Sequence, residues 1–289
     1  MLHHVGRMIG SAFELVTLKG GACSILSRVH GETMHIGSDP CTEAFELHIR
    51  QQGLIKRVGE WTRPDPFVIW DIGLGPAGNA IAAIEALREI GRPLEIHSFE
   101  ISTEVLEFAL HHAGRLGYLS GWEPVVMQLL TEGEAYPSPL IRWQLHHGDF
   151  SREKITAPIP SAIFFDPYSP AQNPEMWNIA TFRSIWSAVS GADAPPCTMT
   201  NYTRSTSVRV TMALAGWFVG VGVPTGEKSE TTIAANRIGL LEKPLDRCWL
   251  KRVRASTNAA PIRGGYERWA ISSADFDSLG GLSQFLVES

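Results

Sequence analysis

The chain has 289 residues, a hydrophobic content of 44% and a formal net charge of −5. That length suits one large α/β domain with extensions or two small domains, and the charge balance does not advertise a nucleic-acid partner. Cys23, Cys41, Cys197 and Cys248 show neither CxxC pairing nor metal-ligand spacing, so reduced thiols and no metal are expected. No apolar run approaches the roughly 20 residues of a bilayer span, and the opening MLHHVGRMIG lacks the apolar core of a signal peptide. A soluble, cytoplasmic protein without a membrane partner is expected.

In chain order, residues 12–29 predict two short strands around Gly20-Gly21, a hairpin signal. Residues 42–52 predict a helix, with Asp39-Pro40 ahead of it as a start signal. From Phe67 onward, strands are expected near 67–72, 95–100, 142–147, 162–166, 196–201, 217–222 and 230–235. Helices are expected near 78–90, 102–116, 123–132, 174–189 and 204–214. Apolar strands alternating with amphipathic helices predict an α/β fold with a mostly parallel sheet covered on both faces. The last two strands face each other across Thr225-Gly226, which suits an antiparallel hairpin closing the sheet. The tail, 237–289, is less regular and begins basic, with Arg237, Lys243, Arg247, Lys251, Arg252 and Arg254. The expected organisation is an N-terminal extension of hairpin plus helix (1–60), a core domain (61–236) and a C-terminal extension (237–289).

The first motif with chemistry is FVIWDIGLGPAGN, a buried strand running into Gly73-Leu74-Gly75-Pro76-Ala77-Gly78. Glycine permits the tight turn and lets a ligand approach without a Cβ in the way, and the following helix offers free N–H groups. The turn fits a nicotinamide dinucleotide, the amino-acid end of S-adenosylmethionine, or a purely structural bend. Glu100, at the end of LEIHSFE, is placed to accept from both ribose hydroxyls of either cofactor. Asp149, after the third strand, is placed to accept from an adenine amino group, and Phe150 to cover the base. That pair favours S-adenosylmethionine.

The second motif, FFDPYSPAQNPEMW, is a strand ending in Asp166 and a proline-rich loop. It resembles the F-L-D-x-F-x-P-x-x-N-P-x-M-W signature of the methyltransferase domain of the MnmC family, through Asp166, Pro170, Asn173, Pro174, Met176 and Trp177. WDIGLGPAGN resembles the family's E-T-G-F-G-T-G-L-N and keeps Gly73, Gly75 and Asn79. SFE, GDF, and TMTNYTRSTSVRVTMALAGWFVGVG resemble later family segments in the right order. GETMH with Glu43-Ala44, upstream, and LLEKPLDRCWLKRVRAS, downstream, resemble segments of its stand-alone members. Where the family has a basic G-R-K-R-E, this chain has GEKSE at 226–230.

The resemblance implies a class I, Rossmann-like, S-adenosylmethionine-dependent methyltransferase with a seven-stranded sheet and one antiparallel strand. It implies methyl transfer to the aminomethyl nitrogen of a modified wobble uridine in tRNA, with the anticodon region as partner. The two-part enzyme also carries an FAD-dependent oxidase domain that makes this amine. No second glycine fingerprint here would supply it, so no FAD is expected, and a separate oxidase becomes a possible partner. Asp166 is the expected catalytic residue, orienting the amine and accepting its proton. Asp71, Gly73, Gly75, Gly78, Asn79, Glu100, Asp149, Phe150 and Asp166 are expected around the cofactor. His35, Glu43, Tyr168, Pro170, Asn173 and Trp177 are expected around the substrate, with Tyr168 and Trp177 as stacking faces for a splayed base. The alternatives are a methyltransferase acting on another RNA or a small amine, and an NAD-dependent oxidoreductase.

Overall fold

The computed structural model describes residues 12–18, 20–34, 39–153, 155–225 and 228–286. The N-terminal sheet contains β1 (Phe13–Thr17), β2 (Cys23–Ser27) and β3 (Glu32–Met34), all antiparallel. The expected hairpin thus gains a third strand, because the turn after β2 brings Glu32–Met34 back against it. Helix α1 (Pro40–Ala44) starts at Asp39, whose side chain accepts from the Thr42 N–H. It runs on into a π-helical turn, Phe45–Arg50, and then α2 (Leu54–Gly59).

The core follows as β4 (Phe67–Ile72), α3 (Gly78–Leu87), β5 (Leu94–Glu100), α4 (Glu104–His111), α5 (Ala113–Leu116) and α6 (Glu123–Glu132). Next come β6 (Glu134–Ser138), β7 (Ile141–His147), β8 (Ala162–Phe165), α7 (Ile179–Val189), β9 (Thr198–Asn201), α8 (Thr206–Leu214), β10 (Phe218–Gly222) and β11 (Thr231–Ala235). The tail holds α9 (Arg247–Ala255), α10 (Ser273–Gly280) and α11 (Ser283–Leu286), more helix than its irregular sequence suggested.

The strand order is β10-β11-β9-β8-β4-β5-β7-β6. Pairings β4–β5, β4–β8, β5–β7 and β8–β9 are parallel, and β11 runs antiparallel between β9 and β10. The expected strands are all present, but the sheet has eight rather than seven, because Glu134–Ser138 folds back on β7 as an antiparallel edge. The expected helix at 102–116 is broken at His112, and the helix expected from 174 begins at Ile179, capped by Asn178.

Both faces of the sheet are covered. Along β4, Phe67 and Ile69 join one core while Val68, Trp70 and Ile72 join the other, the period-two sorting of a doubly buried strand. The N-terminal helical segment docks on the first face through polar contacts. Gln52 Nε2 donates to Thr200 Oγ1 (2.8 Å) and to the Ile163 carbonyl (3.2 Å), and its Oε1 accepts from Thr198 Oγ1 (2.6 Å). Arg57 donates to Thr198 Oγ1 (2.7 Å) and to the carbonyls of Ser161 (2.7 Å) and Pro196 (2.9 Å). Among the described residues, no helix is long and apolar enough to cross a membrane.

Candidate active site

The chain leaves β4 toward β5 on one side and returns on the other as β8, which opens a crevice at the carboxyl ends of the strands. Gly73 has φ +90°, and a Cβ built there would lie 2.9 Å from the Asp166 carbonyl oxygen and 3.0 Å from the Pro167 nitrogen. Only glycine lets the two motifs touch here. Gly75, at φ +52°, faces open space instead. Ala77, at φ +67°, is the sole non-glycine residue with positive φ among the described residues. It precedes α3, whose first turn has no side-chain cap and includes buried Gly78 and Asn79. Uncapped helical N–H groups beside an open glycine face fit the carboxylate of an amino-acid-bearing donor.

Glu100 closes onto this turn. Its Oε2 accepts from the Gly75 N–H (2.9 Å), and its Oε1 from the N–H groups of Ile101 (2.9 Å) and Ser102 (3.3 Å). Burial pushes its carboxyl up, and these backbone bonds oppose the shift. Glu100, Ile101, Asp149, Phe150 and Met176 line a cleft with Gly73 and Phe99. Phe150 sets its edge against Phe99 at 4.9 Å. Asp149 Oδ1 accepts from the Ser151 N–H (3.0 Å) and hydroxyl (2.6 Å), while Arg152 Nε lies 3.1 Å from Oδ2.

Asp71 stands behind the turn and is fully buried. Its Oδ2 accepts from the Ser98 hydroxyl (2.8 Å), and Ser98 Oγ accepts from Trp143 Nε1 (2.9 Å). Its Oδ1 has no hydrogen-bond partner among the described residues. Burial, then the charges of Asp166 and Glu100, push its carboxyl up to about 8, with the Ser98 bond opposing. Asp71 has no exposed surface and lies behind the turn rather than on the face of the cleft.

Asp166 follows β8, its N–H donating to the Ile72 carbonyl at 2.9 Å. Asn79 Nδ2 donates to Asp166 Oδ2 at 2.8 Å. The Tyr202 hydroxyl donates to the Pro167 carbonyl at 3.0 Å, and burial keeps that phenol protonated well above its ordinary range. The loop beyond is held by the N-terminal sheet. The Ser169 N–H donates to Glu32 Oε2 (3.0 Å), and its hydroxyl bonds Oε1. The Tyr168 ring stacks on His30 with centroids 4.0 Å apart, and burial pushes its hydroxyl up to about 12.

Trp177 is fully buried, edge-on to Phe165 (5.0 Å) and Tyr202 (5.7 Å), and donates from Nε1 to the Tyr168 carbonyl at 2.7 Å. It is core, not a stacking face. Pro170 is buried as well, and the Asn173 N–H turns back to the Ser169 carbonyl at 2.8 Å. The helix that follows is capped by Asn178, which accepts from the Thr181 N–H at 2.9 Å. Glu43 sits in the first turn of α1, within electrostatic reach of Lys228, and His35 lies outside the described residues. Sequence reasoning missed Glu32, His30, Tyr202 and Lys228. Tyr202 carries a usable signal, an aromatic one residue past a buried strand, and Glu32 and Lys228 lie in GETMH and GEKSE, segments already compared with the family; His30 has no signal outside the folded arrangement.

A model of the family described as S-adenosyl-L-methionine-dependent methyltransferase matches residues 134–237. The tRNA 5-methylaminomethyl-2-thiouridine biosynthesis bifunctional proteins MnmC of Leptospira interrogans strains Fiocruz L1-130 and 56601 are each 24% identical over 221 residues. That alignment covers 73% of this chain and 33% of each relative, so the chain spans about a third of the length of the curated relatives it matches. The crystal structure of MNMC2 from Aquifex aeolicus shares the fold, with TM-score 0.66 and 20% identity over 93% of this chain and 84% of that one.

Fold, crevice and family match together define an S-adenosyl-L-methionine-dependent methyltransferase, with S-adenosyl-L-methionine as its donor. Within that class, the chain carries an MnmC-like methyltransferase domain. The nicotinamide alternative for the glycine turn is not favoured, because the family match is to methyltransferases. Among the described residues, no group of histidines, cysteines and carboxylates is arranged to hold a metal ion.

Proposed function

We propose that the chain methylates the exocyclic aminomethyl nitrogen of a modified wobble uridine in tRNA. The observation that carries this reading is Asp166: a carboxylate anchored by Asn79, touching the donor turn through Gly73, and roofed by a loop tied to the N-terminal sheet. The MnmC relatives, named for tRNA 5-methylaminomethyl-2-thiouridine biosynthesis, support the substrate class.

When bound, the sulfonium donor supplies an electrophilic methyl group. Gly73, Gly75, Gly78 and Asn79 shape the bed for its amino-acid end. Glu100 releases the Gly75 N–H to take the ribose hydroxyls, and Asp149 with Phe150 frames the adenine. Asp166 orients the acceptor amine, which attacks through its nitrogen lone pair, and then takes the proton the product ammonium sheds. Alignment of nucleophile and methyl group can supply roughly 7–11 kcal/mol of the barrier, so positioning outweighs proton transfer. Exposed Lys243, Arg247, Lys251, Arg252 and Arg254 on the tail meet tRNA phosphates. A separate FAD-dependent oxidase would supply the amine.

The test is methyl transfer to tRNA from cells lacking this modification step, followed by nucleoside analysis. Label in 5-methylaminomethyluridine or its 2-thio form is expected. Label in another nucleoside, or only in small amines, would overturn the wobble-uridine assignment.

A further inference from the structure

Lys228 has no part in the chemistry described so far. Its N–H donates to the Thr225 carbonyl (2.9 Å) and its carbonyl accepts from the Thr225 N–H (3.2 Å). Its Nζ stands 4.3 Å from the ring centroid of Tyr202. That ring is itself pinned to the Asp166–Pro167 link by the hydroxyl bond to Pro167. Among the described residues the ammonium makes no hydrogen bond; the aromatic face is its contact.

The charged groups that face it come from separate elements. Burial, the largest influence, lowers its ammonium below the ordinary lysine range; Glu43 on α1, Asp166 after β8 and Glu32 on β3 oppose that shift, and Arg204 after β9 adds to it. These carboxylates bear on the amine site as well. Alone they would hold a bound amine as its ammonium, which has no lone pair to attack with. A fixed cation among them shifts the balance toward the neutral nucleophile.

We propose that Lys228 is a specificity-determining residue of the acceptor pocket, whose ammonium offsets the surrounding carboxylates and keeps the amine beside Asp166 unprotonated. This rests on the amine-acceptor reading above. In the reaction the amine nitrogen bonds the methyl carbon, the carbon–sulfur bond breaks with its electron pair going to sulfur, and the new ammonium gives one proton to Asp166 or water. Lys228 exchanges no proton. It acts by charge, and the pocket therefore selects amines that deprotonate readily.

The experiment uses the full chain, Lys228→Met, Lys228→Gln and Lys228→Arg, with tRNA carrying 5-aminomethyl-2-thiouridine as the probe. Single-turnover rates are followed from about pH 6 to 10, alongside calorimetry with S-adenosylhomocysteine. For Met and Gln, the midpoint of the rising limb should move up by about one unit, a roughly tenfold loss near neutrality that is recovered in alkali. Lys228→Arg should keep the wild-type profile, and all four proteins should bind the thioether equally. A Met and Gln profile overlaying wild type, or a loss that alkali does not restore, overturns the proposal. So does a parallel loss of thioether affinity, which would make Lys228 a donor contact. If wild type itself transfers nothing to this tRNA, the amine-acceptor reading falls and Lys228 falls with it; an active wild type with an unchanged variant profile removes Lys228 alone.

Discussion

Asn79 Nδ2 donates to Asp166 Oδ2 across 2.8 Å and so joins the second residue of α3 to the residue that ends the β8 motif. The bond fixes the carboxylate over the turn that faces the donor and leaves less for the substrate to organise. Asp166→Asn should lower the single-turnover rate by at least about a hundredfold, the low end of what a positioned proton acceptor contributes. Asn79→Ala should cost about tenfold, since the acid stays but loses its orientation. Both variants should bind S-adenosylhomocysteine, which calorimetry checks; loss of binding in Asp166→Asn would move that residue from acceptor chemistry to donor binding.

Gly73→Ala forces a Cβ to within 2.9 Å of the Asp166 carbonyl oxygen at φ +90°. Backbone meets backbone, so neither side can yield cheaply. Denaturant titration should show a loss on the order of 2 kcal/mol or more, together with loss of thioether binding. Gly75→Ala meets open space and pays only for its left-handed backbone. It should lose about 1 kcal/mol of stability while still weakening the donor.

Trp177→Ala should destabilise the fold by about 3–5 kcal/mol, as the loss of a fully buried aromatic does. Trp177→Phe keeps most of the volume but removes the bond to the Tyr168 carbonyl. It should lower stability by about 1 kcal/mol and loosen the loop over Asp166. A Trp177→Ala variant of native stability that fails only with tRNA would restore the stacking role.

Asp71 gives stability an unusual pH dependence. Its folded carboxyl titrates at about 8, above the ordinary 3.8, so folding takes up a proton between those values. Its contribution is fully present below the unfolded value and is lost as pH rises through the folded one. Asp71→Asn keeps an acceptor for Ser98 and cannot ionise. Its stability relative to wild type should climb from about pH 4 to 8 and level off beyond, measured by urea titration at stepped pH. A difference that does not vary with pH would show that Asp71 stays charged in the fold.

His146 acts in the opposite direction. Burial first, then the charges of His97 and Arg142, lowers it from 6.5 to about 4, and its Nε2 lies 2.9 Å from His97 Nδ1. The unfolded chain binds the proton first, so stability contributed above 6.5 should drain away as pH falls toward 4. His146→Gln should flatten that acid limb in the same urea series.

The sheet was legible because β4 and β8 are apolar on both faces, and such runs between helical periods admit few other assignments. The glycine turn and Asp166 were legible because steric demands write themselves as residue types. What stayed hidden were relations between distant segments. Strand β6 carries Pro137 and a single fully buried side chain, so nothing in EAYPS announces an edge. Trp177 looked like a base platform because a signature tells which residue recurs and not which way its ring points. Lys228 and Glu32 acquire their meaning only once three chain segments meet around Asp166.

Gln52 and Arg57, which precede β4, satisfy hydroxyls and carbonyls of β8, β9 and their approaches. A version of the core begun at residue 61 would lose those hydrogen bonds and bare the apolar face that Ile49, Leu54 and Val58 cover, against a total stability of roughly 5–15 kcal/mol. Any chimera that grafts a different leader onto this catalytic half must therefore reproduce an amide and a guanidinium at those places, whatever substrate the graft is designed to recognise.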